Sequence, residues 1–166
     1  MTDSVHDEAM LLADDQTVTQ ILDEVCSLTG MGFAAVARVT EDRWIACQVV
    51  DQIEFGMSAG DELDVATTIC DDIRKSSKLV VINDADEETE WRSHPTPALY
   101  GFKSYISVPI ILSNASFFGT LCAIDPVRRD LRGSGIVPVM ESFSTRIAER
   151  VEAHLEAHRQ VFGQTG

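Results

Sequence analysis

The stretch GFKSYISVPIILSNASFFGTLCAIDP, residues 101–126, decides the fold. Tyr105, Ile106, Val108, Ile110, Ile111 and Leu112 are aromatic, β-branched or aliphatic and fall in one run, which predicts a well-buried strand. Pro109 interrupts it, and a proline has no N–H to give to a ladder, so it belongs at a bulge or beside an unpaired edge position. Residues 113–116 are a short polar break, and a second apolar run at 117–124 follows at the spacing of a hairpin. Asp125-Pro126 ends that strand, because the residue before a proline is held extended and the proline cannot continue the pairing.

Upstream of this hairpin, residues 1–13 read as an acidic, frayed or partly helical lead-in on which little should depend. Asp14 or Asp15 can cap a helix running to about residue 28, with Val18, Ile21, Leu22, Val25 and Leu28 recurring three and four apart. Gly30-Met31-Gly32 breaks it, and residues 33–39 and 44–50 read as two strands around a polar turn. Residues 51–62 read as a loop over one end of the sheet. Asp64 or Thr67 can cap a short helix ending near Ser76, and residues 79–82 supply another strand. Residues 83–100 are acidic and irregular, with Pro95 and Pro97 forbidding one long helix. Downstream, Ile136, Met140, Phe143, Ile147, Val151 and Leu155 mark one face of a long final helix with Pro138 in its first turn. Runs of strands rather than strict strand–helix alternation indicate an α+β class: a mostly antiparallel sheet with helices packed on it.

The 166 residues suit one domain, placed at residues 14–162 after the lead-in, with no internal repeat or linker to divide it. A net charge of -14 argues against nucleic acid and anionic membrane surfaces, which both select for basic faces. No apolar run reaches the ~20 residues of a membrane span, and the N-terminus lacks the order of a secretory signal, so a cytoplasmic protein is expected. Cys26, Cys47, Cys70 and Cys122 are widely spaced without a C-x-x-C pair, which suggests small buried side chains rather than zinc ligands or a disulfide framework.

The order of elements, Ser-Val-Pro-Ile at residues 107–110 and Phe-Gly-Thr-Leu-Cys-Ala-Ile-Asp-Pro at 118–126 resemble a GAF domain over about residues 18–155. Thr-Thr-Ile-Cys at 67–70 and Tyr-Gly-Phe-Lys-Ser-Tyr at 100–105 are similar to segments of GAF domains in bacterial signalling proteins, often near sensor kinases. The resemblance implies a PAS-like fold: a central sheet of five to six strands, terminal helices on one face, and a small-molecule pocket under short helices and loops on the other. It also implies a homodimer through the N- and C-terminal helices, with a sensor kinase or other signalling partner taking the output. It names no cofactor and leaves the small molecule unidentified.

One GAF subfamily reduces free methionine sulfoxide with cysteines near the short helix and in the following loop, and with acidic residues on the last two strands. Cys70 matches one such position, the loop cysteine is missing, and Tyr105, Cys122 and Ile124 stand where that resemblance implies acid. A reductase needs a second thiol to resolve its intermediate, and a zwitterionic substrate needs fixed charge. Covalent bilin attachment would need a cysteine beside His94, and Ser93 is there instead. The signature of cyclic-nucleotide GAF domains and any Gly-rich phosphate loop are absent. The expectation is therefore a non-catalytic binding module whose site draws on Thr68, Cys70, Trp91, His94, Tyr100, Ser104, Tyr105 and Ser107, a few polar groups among apolar ones. Two alternatives stay open: a thiol enzyme or redox sensor using Cys70, and a dimerisation scaffold with a filled pocket.

Overall fold

The structure, a computed structural model, describes residues 3–163. In chain order the elements are α1 (Ser4–Met10), α2 (Gln16–Thr29), β1 (Phe33–Val39), β2 (Trp44–Asp51), β3 (Glu62–Leu63), a single 3-10 turn (Val65–Thr67), α3 (Cys70–Ser76), β4 (Val80–Ile82), α4 (Pro95–Tyr100), β5 (Ser104–Ile111), β6 (Phe117–Asp125), a second 3-10 turn (Arg132–Ser134) and α5 (Ile136–Gly163). The six strands form one sheet in the order β3-β2-β1-β6-β5-β4, with every neighbouring pair antiparallel. The α+β class and the two-sided arrangement expected from the sequence are both present.

The hairpin at residues 104–125 places β6 at the middle of this sheet and β5 next to its β4 edge, and shows how Pro109 is accommodated. β4 pairs with β5 only as far as Val80 opposite Ser107, so Pro109 lies beyond the end of that edge strand, where a missing N–H leaves no ladder bond unmade. Its carbonyl oxygen accepts a hydrogen bond from Ser144 Oγ of α5 at 2.5 Å, tying strand to helix. On β6, Gly119 runs so close to β1 that a Cβ there would sit 1.7 Å from the Ala37 carbonyl oxygen. The glycine of the Phe-Gly-Thr-Leu stretch is thus fixed by backbone approach between the two central strands.

One face of the sheet is covered by α1, α2 and α5. Val18, Ile21, Leu22 and Val25 of α2 and Met140, Ile147 and Val151 of α5 are buried against Ile106, Val108, Ile110 and Leu121. Leu28, counted with the α2 stripe from its spacing, is instead exposed at the helix end. The apolar face of α5 is spent on its own sheet, so the stripe that suggested a dimer has an intramolecular use.

The N-terminal segment matters more than its composition suggests. Ala9 and Leu12 are fully buried in the helix-side core. Asp15, the N-cap of α2, accepts from Val18 N at 3.1 Å, while its second carboxylate oxygen meets Arg150 Nε at 2.9 Å and His154 Nε2 at 2.7 Å. A bulge in the β1–β2 pairing puts Gln48 on the same side, where its amide donates to the Leu12 and Asp15 carbonyls and accepts from Thr19 Oγ1. Helices α2 and α5 are therefore joined through a buried polar node as well as through apolar packing. Among the described residues no helix is long and apolar enough to cross a membrane.

Candidate functional site

On the opposite face the strands are covered by α3, α4 and the connections around them, and here the packing is incomplete. Period-two alternation sends Tyr105 and Ser107 of β5 to this side, with Thr120, Cys122 and Ile124 of β6 and Phe33 of β1 beside them. Between these strands and Cys70, Ile69 and Thr68 lies a cavity of about 50 Å3, walled also by Trp44, Phe55, Met57 and Phe102. None of the side chains lining it carries a formal charge when neutral thiols are counted as such.

Its outer wall is built by a loop and a helix. The Asp51 carboxylate, at the end of β2, accepts backbone N–H groups from Ile53, Phe55, Gly56 and Met57, which folds the loop back over the sheet. Burial raises the Asp51 pKa, and those four donors more than offset it, holding the carboxyl below its ordinary value. From the other side α4 begins at His94, whose Nδ1 accepts from Thr96 N at 3.2 Å, and ends at Gly101 with φ 74, a left-handed C-cap that glycine adopts without strain. Tyr100 at its end hydrogen-bonds Thr67 Oγ1, and Thr96 Oγ1 donates to the Thr67 carbonyl at 2.8 Å. Phe55 and Tyr100, with ring centroids 6.1 Å apart, line both the cavity and a neighbouring surface cleft, so they form the wall between interior and solvent.

At the cavity floor the polar groups gather around one sulfur. Cys70 Sγ lies 3.2 Å from Thr120 Oγ1 and 3.6 Å from the Tyr105 hydroxyl, and Cys122 of β6 lines the same cavity. Donation from Cys122, helped by Thr120 and Tyr105, outweighs the burial that opposes charge and moves the Cys70 thiol down; Cys122, as the partner that keeps its proton, moves well up. Burial, and then charge on Cys70, pushes the Tyr105 phenol up, so it stays a neutral donor. Trp44 Nε1 and Ser107 Oγ are buried with no hydrogen-bond partner. Such orphans are uncommon in a folded interior and mark a place where a partner is missing. The other two thiols behave differently: burial raises Cys26 to about 11 and Cys47 to about 12, and both sit on the helix side.

Of the eight site residues expected from sequence, Thr68, Cys70, Tyr100 and Tyr105 line the cavity together. Ser107 shares their face of the sheet without reaching the cavity lining. Ser104 does not join them: its hydroxyl is used inside the β5–β6 joint, donating to the Val127 carbonyl at 2.8 Å. Trp91 and His94, with rings 5.1 Å apart, line a separate surface cleft, and His94 serves as a helix cap. Cys122, Trp44, Phe33 and Phe55 were not among the expected set. Strand parity was the available signal for Cys122 and Phe33, because both fall on the Tyr105 side once the hairpin register is known. Among the described residues no group of three or more His, Cys, Asp or Glu side chains is placed to hold a metal ion.

A six-stranded antiparallel sheet with terminal helices on one face and a roofed cavity on the other defines a class of sensory-domain architectures. The GAF domain family profile matches residues 15–158, and the chain belongs to that family. Its fold is shared with the GAF domain of a two-component sensor histidine kinase from Bacillus halodurans, at 13% identity and TM-score 0.66 over 89% of this chain and 98% of that one. It is also shared with the GAF-B domain of DevS from Mycobacterium smegmatis, at 13% identity and TM-score 0.64 over 87% and 97% of the two chains. A third similar structure is a type II free methionine-R-sulfoxide reductase from Thermoplasma acidophilum, at 10% identity and TM-score 0.62 over 90% and 96%. A search of the curated proteins finds no match.

Proposed function

We propose that this GAF domain is a sensory module of bacterial signal transduction, taking a small uncharged molecule into the cavity beside Cys70 and relaying its presence without catalysing a turnover reaction. The observation that carries this reading is the unpartnered, buried Trp44 N–H in the wall of an otherwise apolar cavity. An engineered cavity of ~150 Å3 takes up benzene, so about 50 Å3 suits a molecule of two or three non-hydrogen atoms. The absence of charged side chains from the lining supports binding of a neutral molecule and weighs against a zwitterion such as free methionine sulfoxide, which would arrive with two charges to compensate. Likeness to a sensor kinase GAF domain supports the signalling context.

The relay has a plausible physical route in the strands themselves. β5 and β6 give alternate residues to the cavity floor and to the bed of α5, so a shift in either strand is felt on both faces. Occupancy moves an equilibrium only as far as the ligand prefers one arrangement over the other. The test is nitrogen-detected NMR of the Trp44 indole while the protein is equilibrated with xenon, acetonitrile or dimethyl sulfide. The expected result is a saturable shift of the Trp44 Nε1–H signal accompanied by smaller shifts of α5 amides. An indole signal unmoved by every probe would sink the reading and leave a packed dimerisation scaffold in its place.

A further inference from the structure

We propose that Cys70 and Cys122 form an oxidisable dithiol that reacts with hydrogen peroxide admitted to the cavity and closes into a disulfide between α3 and β6. The inference rests on the sensory reading above and gives its small molecule a chemical class. Three observations on the geometry carry it. Both thiols are buried and line the cavity floor, and Cys70 Sγ lies 3.2 Å from Thr120 Oγ1, two residues before Cys122 on the same face of β6. Thr120 Oγ1 and the Tyr105 hydroxyl stand within hydrogen-bonding reach of the Cys70 sulfur, where they can steady a thiolate and then donate to a departing oxygen. Trp44 Nε1, buried and unpartnered in the same wall, is a donor waiting for an acceptor atom, and a peroxide oxygen supplies one.

The volume selects among oxidants. Two oxygen atoms fit a cavity of about 50 Å3, whereas an aromatic hydroperoxide exceeds even the ~150 Å3 that benzene fills. In the first step the Cys70 thiolate attacks one peroxide oxygen. An S–O bond forms, the O–O bond breaks, the sulfur is oxidised by two electrons to sulfenic acid, and the departing hydroxide takes up the proton that Cys70 gave up on ionising and leaves as water. In the second step the Cys122 sulfur attacks Cys70. An S–S bond forms, the S–O bond breaks, and the proton from Cys122 leaves with the hydroxide as a second water. One peroxide and two thiols become one disulfide and two waters. An external dithiol of the thioredoxin class reverses it. The lowered Cys70 agrees with its assignment as the attacking thiol, and two of the causes that hold Cys122 protonated, its bond to Cys70 and the charge there, end once Cys70 is a neutral sulfenic acid.

Cys26 and Cys47 are built-in controls, since both are buried and held protonated on the other face. The experiment treats the reduced wild-type protein with hydrogen peroxide or cumene hydroperoxide, blocks remaining thiols, and maps every cysteine by peptide mass spectrometry. The expected result is a Cys70–Cys122 disulfide with Cys26 and Cys47 still alkylated as thiols, and a rate with cumene hydroperoxide lower by about tenfold or more. In Cys122→Ser, a dimedone adduct on Cys70, formed as the peroxide-treated protein is unfolded in the reagent, should replace the disulfide. Oxidation of Cys26 or Cys47 as fast as Cys70, absence of the 70–122 bridge in wild type, or equal rates with both peroxides would each overturn the proposal. The wild-type mapping needs no variant to fold. If the Trp44 signal responds to xenon while no bridge forms, the dithiol falls and the sensory cavity stands; a bridge with a silent indole gives the reverse.

Discussion

The two faces of the sheet are made from alternate residues of the same strands, yet they solve opposite problems. Toward α1, α2 and α5 the chain packs Leu22, Ile147, Ile106 and Leu121 without exposure, and most of its buried polar groups are joined: Asp15 to Arg150 and His154, Gln48 to two carbonyls, Ser144 to Pro109, with Arg38 Nε the exception. Toward α3 and α4 it leaves a cavity, two orphaned polar atoms and a pair of buried thiols. A sheet filled equally on both sides would be the more stable solution, because empty space and unpaired donors both cost free energy. Stability invested in one face and withheld from the other is the asymmetry expected if the second face binds a ligand, as proposed.

The largest effect that tests this contrast is cavity creation. Leu22→Ala, in the filled face, should cost about 2–5 kcal/mol in urea unfolding. Met57→Ala, whose side chain already borders empty space, should cost less than about half as much, since fewer packed neighbours are lost. Equal costs would mean that the two faces are packed alike and that the contrast has no energetic content.

A second test separates the node that fastens the helices from the residues that roof the cavity. Asp15→Ala removes the α2 N-cap and strands Arg150 beside His154, and should cost about 1–3 kcal/mol with loss of hydrogen-exchange protection in both α2 and α5. Asp51→Ala releases the loop carrying Phe55 and Met57, and should loosen protection there while leaving α2 and α5 as they were. If Asp51→Ala also unlocks α5, the cavity wall and the helix face belong to one cooperative unit.

Acid should reach both faces through these same carboxylates. Burial opposes ionisation of Asp15, but hydrogen bonds from His154, Arg150 and Val18 prevail, and its folded pKa lies below the ordinary value, as that of Asp51 does. A depressed folded pKa means stability that is fully present above the unfolded carboxylate value of ~3.9 and is lost as pH falls through it toward the folded pKa. The midpoint of urea unfolding should therefore drop steadily below about pH 4. In Asp15→Asn the drop should be shallower, because the substituted side chain no longer releases a proton. An unchanged slope would remove Asp15 from the account.

How far the sequence showed all this depends on the range over which each signal acts. Strands β1, β2, β5 and β6 were legible because β-branched runs and turn residues are local, and Pro109 even announced the end of its edge neighbour. The helix α4 was not, since six residues opened by Pro95 and containing Pro97 look like irregular chain until His94 is seen as its cap. Residues 3–13 looked dispensable because composition cannot show Leu12 meeting the Gln48 amide, a contact made across 36 positions. In the site, Tyr105 was an expected member, whereas Cys122 and Ile124, read only as departures from an acidic set, turned out to be cavity wall beside it. Ser104 was misplaced by neglect of period two: with Ile106, Val108 and Ile110 in the helix-side core, Ser104 had to share their side and Ser107 the other.

The smallest predicted effect is also the sharpest, because it turns on sign. Ser144 and Ser107 are both buried serines reached by β5, and a single oxygen is deleted in each case. On the helix face Ser144 Oγ donates to the Pro109 carbonyl, so Ser144→Ala leaves a buried acceptor short of its bond and should destabilise by about 1 kcal/mol. On the cavity face Ser107 Oγ has no partner, so Ser107→Ala removes a desolvated hydroxyl that gives nothing back. It should leave stability unchanged or raise it by up to about 1 kcal/mol. Opposite signs on the two faces of one strand would show that polarity on the cavity side is retained against stability, as a site requires. If Ser107→Ala destabilises as Ser144→Ala does, the hydroxyl already has a partner in solution, and the cavity floor is satisfied structure rather than a surface awaiting a ligand.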